Sequence, residues 1–172
     1  MSVWTLVAAD QPSVPQRHKM DLHDLIDSSR VIFAARVSNK EQLLQDLASR
    51  AGALLNRDSG AIFEALKARE ELGSTGLGNG FALPHAKIEG LDRFFGMFMR
   101  LNRAINFDAI DGQPIDLVFL LLIPETAGNE HVGALAAISR RLREPGFSAS
   151  LRKAANTAAL CDLLCAPSRH TA

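Results

Sequence analysis

The most apolar stretch of the chain is Ile115 to Ile123, IDLVFLLLI, interrupted only by Asp116. Apolar residues at nearly every position, rather than at alternate ones, are the signature of a strand covered on both faces. Pro124 ends it, because proline has no N–H to give a ladder. RVIFAARV (Arg30 to Val37), FFGMFMRL (Phe94 to Leu101) and the short Gly80 to Leu83 predict further strands. Elsewhere the rhythm becomes helical. Ser38-Asn39-Lys40-Glu41 reads as a capping box, so a helix is predicted from about Asn39 to Arg50 with Leu43, Leu44 and Leu47 inward. A second starts near Asp58, carries Ile62, Phe63, Leu66 and Leu72, and closes at Gly73. Asp111-Gly112 and Pro114 mark a turn. Glu130 to Arg143 resumes helical spacing through Leu135, Ile138 and Leu142, until Pro145-Gly146 stops it. Short helices are predicted at Asp21 to Ser28, Phe147 to Ala155 and Thr157 to Cys165.

Helices before, between and after a buried central strand predict an α/β fold, a three-layer sandwich with one mixed central β-sheet flanked by helices on both faces. A chain of 172 residues is expected to hold one domain, large enough to bury about two-thirds of its unfolded surface. That domain is predicted over residues 20–165. Residues 1–19, with Pro12, Pro15 and little periodicity, read as a flexible extension in which Trp4 docks, and residues 166–172 as a tail.

Charge narrows the function classes. With 19 basic and 19 acidic residues there is no net field to attract nucleic acid or an anionic membrane. No apolar run approaches the length of a membrane span, and no basic residue precedes the short apolar stretch of MSVWTLVAAD, so neither membrane insertion nor a secretory signal is expected. Cytoplasmic residence is the resulting expectation. Cys161 and Cys165, spaced i,i+4, read as an apolar helix face rather than a metal pair. The five dispersed histidines show no metal-ligand spacing, so no metal and no cofactor are expected.

The chemistry concentrates at LGSTGLGNGFALPHAKIEGL, Leu72 to Leu91. Gly73, Gly76, Gly78 and Gly80 precede a short apolar run, and Pro84-His85 stands where that run stops. Glycine permits close backbone approach, and Pro84 marks an edge or the end of strand pairing. His85 is thus placed at a strand end beside a loop with N–H groups to offer an anion. The other reading of the same residues is a surface turn feeding a strand, with His85 a hydrogen-bonded bystander. A phosphate-cradling P-loop is excluded, because Asn79-Gly80 stand after Gly78 where Lys-Ser/Thr is required. A dinucleotide fingerprint fits poorly, because Phe81-Ala82-Leu83-Pro84 is a weak helix start.

The block RExLGSTGxGNGxAxPHxK, Arg69 to Lys87, resembles the active-site block of the enzyme IIA domains of the bacterial phosphoenolpyruvate-dependent phosphotransferase system. Within these it is nearest the nitrogen-regulatory branch of the fructose/mannitol class. INFDAIDGQPIDLVFLLLIP (Ile105 to Pro124), followed by His131, is similar too, and the resemblance spans roughly Met20 to Leu164. It implies the same three-layer fold and a phosphohistidine on His85. Imidazole suits the task, being largely unprotonated at neutral pH with an ordinary pKa of about 6.5.

The family's arginine falls on Arg69, whose guanidinium can bind two phosphoryl oxygens. Read without the family, Arg69-Glu70-Glu71 is a solvated helix face. His131 falls where the family has a histidine facing the phosphorylated one; by itself it reads as a capping or exposed residue near helix N-terminal amides. Ser74 and Thr75 add hydroxyl and N–H groups as phosphoryl-binding candidates. Lys87, two residues from His85, points to the same side of an extended chain and either assists electrostatically or faces solvent.

The resemblance further implies a phosphotransferase-system component that accepts its phosphoryl group from an HPr-type phosphocarrier protein and regulates target proteins, kinases or transport components among them. A single domain without fused IIB or IIC units favours that branch. The alternatives are a sugar-specific IIA that passes phosphate to a IIB partner, and a binding module of the same fold that is never phosphorylated. A nucleotide-dependent enzyme is disfavoured by the missing P-loop lysine.

Overall fold

The computed structural model describes residues 20–167. The calls on residues 1–19, Trp4 and most of the tail lie outside them. In chain order the helices are α1 (Leu22–Leu25), α2 (Lys40–Leu55), α3 (Ser59–Glu71), α4 (Glu130–Leu142), α5 (Phe147–Lys153) and α6 (Thr157–Cys165). The strands are β1 (Val31–Ala35), β2 (Gly76–Gly78), β3 (Phe81–Ala82), β4 (His85–Ile88), β5 (Phe95–Ile105) and β6 (Ile115–Pro124).

The run that dominates the sequence also dominates the sheet. β6 pairs antiparallel with β5 on one side and parallel with β3 and then β4 on the other, in the order β1-β5-β6-β3-β2. The parallel β1–β5 pair and the antiparallel β2–β3 hairpin complete a mixed sheet. Its near-continuous apolar sequence follows from two covered faces. Val118, Leu120 and Leu122 join Leu43, Leu44 and Leu47 of α2 and Ile62 and Leu66 of α3 in one core. Leu117, Phe119, Leu121 and Ile123 join α1, α4, α5 and α6 in the other. Full burial of each such side chain contributes about 1.5–3 kcal/mol, so this strand anchors both layers. The three-layer expectation stands.

Local corrections have local causes. The predicted helix Asp21 to Ser28 is two pieces: α1 stops at Ile26, which turns extended (φ −135°, ψ 145°), and a 3₁₀ turn follows at Ser28–Arg30. Asp27 captures the Ser29 N–H and so competes with helix continuation. The cap of α2 is one residue later than expected. Asn39 accepts from the Gln42 N–H, and Gln42 Oε1 accepts in return from the Ser38 N–H. α2 then runs on past Arg50 to Leu55, closed by Asn56 in the left-handed region. Leu72 lies beyond the last turn of α3 and is 85% exposed, so it serves no core.

The glycine block is a hairpin rather than an open loop. A Cβ on Gly76 would lie 2.7 Å from the Ala109 Cα, so only glycine lets β2 press against the β5–β6 connection. Pro84 does not end pairing either. β3 and β4 run along the same side of β6, and Pro84 O accepts from the Leu121 N–H between them. The proline interrupts one strand without ending it, which places His85 at the first position of β4. Among the described residues, no helix is long and apolar enough to cross a membrane.

Candidate functional site

β4 presents His85 and Lys87 to one side, as alternation requires, while Ala86 and Ile88 are buried. His85 is half-buried, and both ring nitrogens are engaged. Nδ1 lies 2.9 Å from the Leu83 carbonyl oxygen. A carbonyl can only accept, so Nδ1 carries the proton and Nε2 keeps its lone pair. Arg69 Nε–H donates to that lone pair at 3.2 Å, while its Nη1 donates to the Gly73 carbonyl at 3.0 Å. Arg69 stands in the last turn of α3, and the helix sets its reach.

This setting holds the His85 pKa below its ordinary value. Burial is the largest cause; the Leu83 carbonyl opposes it by favouring the protonated ring, and the Arg69 charge lowers it again. Glu70 pulls it up and His131 pushes it down, both more weakly. The ring is therefore neutral at neutral pH, with its unprotonated nitrogen facing a guanidinium.

His131 opens α4 and shares an open cleft of about 590 Å³ with Arg69, His85 and Lys87. Its Nδ1 donates to the Gly128 carbonyl at 2.7 Å, which turns Nε2 outward as the nitrogen available to a ligand. Apolar Leu72 and Val132 also line this cleft, exposed by 85% and 58%. Three segments distant in sequence thus meet: Arg69 of α3, His85 and Lys87 of β4, and His131 of α4.

Ser74 and Thr75 are placed differently. The Ser74 hydroxyl donates to the Phe107 carbonyl at 3.0 Å and accepts from the Gly76 N–H at 3.1 Å. Thr75 is 3% exposed and directs both its N–H and its hydroxyl to the Glu70 carboxylate, at 3.0 and 2.5 Å. Neither hydroxyl faces the cleft. The N–H groups of Gly73 and Asn79 are taken by the Glu70 carbonyl and the Asp111 carboxylate, so the glycine block does not cradle an anion at these positions.

Glu70 itself escaped the sequence reading. It is a buried carboxylate, 9% exposed, that also receives Lys40 Nζ at 2.9 Å. The signal was present, because Ile62, Leu66 and Glu70 repeat every four residues on the buried stripe of α3. A charge on such a stripe needs partners.

Residues 24–166 match the family described as phosphoenolpyruvate-dependent sugar phosphotransferase system, EIIA 2. A nitrogen regulatory protein of Bradyrhizobium diazoefficiens is 44% identical over 148 residues, which are 86% of this chain and 97% of that one. The crystal structure of nitrogen regulatory protein IIA-Ntr from Neisseria meningitidis is similar with a TM-score of 0.78 at 31% identity, covering 83% of this chain and 98% of that one. Enzyme IIA-Mtl of Escherichia coli, solved in complex with phosphorylated enzyme IIB-Mtl, shares the fold alone. Its TM-score is 0.67 at 15% identity, over 81% of this chain and 96% of that one.

Proposed function

The chain belongs to the EIIA type 2 family of the phosphoenolpyruvate-dependent sugar phosphotransferase system, and from that premise we propose that His85 Nε2 accepts a phosphoryl group from an HPr-type phosphocarrier protein. The observation that carries this reading is the pair of contacts on the His85 ring: Nδ1–H held by the Leu83 carbonyl, Nε2 unprotonated opposite Arg69.

The Nε2 lone pair attacks phosphorus in line with the donor's P–N bond. A P–N bond forms on His85, and the electron pair of the broken bond stays with the donor nitrogen. Positive charge then develops on the His85 ring, and the Leu83 carbonyl stabilises it through Nδ1–H. Arg69 releases Nε2 as the phosphoryl group arrives and turns its charge-assisted donors to the phosphoryl oxygens. His131 holds its Nδ1 proton on the Gly128 carbonyl and stands across the cleft with Nε2 toward the incoming phosphoryl group. Lys87, exposed on the same side of β4, adds positive charge. No cofactor enters these steps.

We infer that the relay is regulatory. The similar proteins of Bradyrhizobium and Neisseria carry nitrogen-regulatory names, which supports this branch. A phosphoryl group adds nearly two negative charges to a cleft rimmed by apolar Leu72 and Val132. Target proteins that dock here therefore prefer the unphosphorylated form, because burying an unpaired dianion is costly. The sugar-specific reading draws on the E. coli neighbour seen with a phosphorylated IIB protein.

Intact-mass measurement after incubation with phosphoenolpyruvate, enzyme I and the carrier is the test. A gain of one phosphoryl group that is lost in His85→Ala supports the relay. No gain leaves a binding module. Onward transfer to a IIB protein favours the sugar branch over the regulatory one.

A further inference from the structure

We propose that Glu70 and Thr75 form a buried clamp that positions both hydrogen bonds holding the His85 ring, a role that rests on the phosphoryl-acceptor reading above. Neither residue touches His85, so each is a positioning residue. Two lines of contact leave the pair.

The first runs through Thr75. Its N–H and hydroxyl grip both oxygens of the Glu70 carboxylate, at 3.0 and 2.5 Å. Its own carbonyl accepts from the Leu83 N–H at 2.9 Å. The Leu83 carbonyl, on the other side of that residue, receives His85 Nδ1–H at 2.9 Å. The tautomer of His85 is therefore set by the carbonyl of a residue, Leu83, whose N–H Thr75 holds in place.

The second runs through Gly73. The backbone carbonyl of Glu70 accepts from the Gly73 N–H at 3.1 Å, which folds the chain back after α3. The Gly73 carbonyl then takes Arg69 Nη1 at 3.0 Å, leaving Nε aimed at His85 Nε2. Arg69 and Glu70 are adjacent on a helix, so their side chains diverge by about 100°. One faces the cleft and the other faces the core, and the turn between Glu70 and Thr75 ties the two directions together.

The clamp is itself braced. Lys40 Nζ reaches the Glu70 carboxylate at 2.9 Å, sits 4.7 Å from the centre of the Phe107 ring, and lies 3.5 Å from Asp108. Three donors thus satisfy a carboxylate that water barely reaches, which is what its burial requires. A staple needed only to hold a loop would work with neutral partners. A carboxylate here also places a negative charge near enough to His85 to favour the imidazolium-like ring formed on phosphorylation.

The test combines imidazole ¹⁵N spectra of the unphosphorylated full chain with the rate of phosphorylation by the carrier. In the wild type, His85 shows the Nδ1–H pattern. Thr75→Val keeps shape but removes the hydroxyl donor. Its expected result is a shift toward the averaged pattern of an unheld ring and a transfer rate lower by about three- to tenfold, part of what one hydrogen bond to a carboxylate contributes. Thr75→Ser restores both. The isosteric Glu70→Gln is expected to show the same two changes, and it decides the matter if Thr75→Val does not fold. Folded Thr75→Val and Glu70→Gln proteins with the wild-type tautomer pattern and rate would overturn the clamp. A wild-type chain that takes up no phosphoryl group refutes the acceptor reading instead, and the ¹⁵N spectra still decide whether Glu70 and Thr75 hold the ring.

Discussion

Arg69 separates charge from geometry in a single residue. Its guanidinium is half-buried, with Nε on His85 and Nη1 on Gly73, while Nη2 makes no hydrogen bond among the described residues. In the proposed transfer step these donors turn to the phosphoryl oxygens, where a well-placed charge-assisted bond contributes about 1.5–3 kcal/mol. Arg69→Ala should therefore slow phosphorylation of His85 roughly ten- to a hundredfold. Stability should change by about 1 kcal/mol or less, because the Gly73 carbonyl that loses its donor is exposed to water. The same substitution removes a charge that lowers the His85 pKa, so that pKa should rise. Arg69→Lys keeps the charge but not the planar fork, so it should hold the pKa near wild type while recovering only part of the rate. The assays are single-turnover transfer from the phosphorylated carrier and an NMR titration of His85. Wild-type transfer in Arg69→Ala, with His85 still the labelled residue, would refute the proposed stabilisation of the phosphoryl group.

Three further outcomes follow from the same cleft. His131→Ala should transfer roughly tenfold more slowly with an unchanged thermal midpoint, since its ring caps only the exposed Gly128 carbonyl; equal rates would remove it from the site. The depressed His85 pKa means that below about pH 6.5 the unfolded ring binds a proton before the folded one does. His85 thus contributes a loss of stability as pH falls from about 6.5 through its folded pKa, and no pH dependence above that window; in denaturant titrations the stability difference between wild type and His85→Ala should be constant from about pH 7 to 8 and shift against the wild type in mild acid. Leu72→Asp or Val132→Asp places a charge on the exposed apolar rim, and should raise KM for the carrier while leaving kcat nearly unchanged; a fall in kcat alone would mean that the rim acts on chemistry rather than docking.

Much of the fold was legible because burial leaves a compositional trace. β6 is apolar on both faces since helices cover both, and its sequence alone announced a central strand. The start of α3 was legible at Asp58, whose side chain holds the Gly60 N–H, whereas the start of α2 was legible only to within a residue, the cap being Asn39 rather than Ser38. His85 stood out by its place after Pro84 beside the glycine block, whereas Arg69 and His131 were singled out only through the resemblance to the enzyme IIA family. Their assembly was not legible. β4 has only four residues, two of them polar, and it exists because β6 offers an edge on which Pro84 does not need an N–H. The glycine block was read as a loop open to an anion, yet it is a hairpin whose glycines admit Ala109 at close range. Thr75 and Ser74 were read as groups facing a phosphoryl oxygen, and their hydroxyls instead face Glu70 and Phe107.

Local sequence thus determined most of the segments that form strands and helices, because propensity, capping and apolar periodicity act over a few neighbouring residues. The tautomer of His85, the lone pair opposite Arg69 and the burial that keeps the ring neutral were decided by tertiary structure alone. Each depends on groups brought together from α3, the Leu83 peptide and α4, and no spacing within one segment encodes a contact between three.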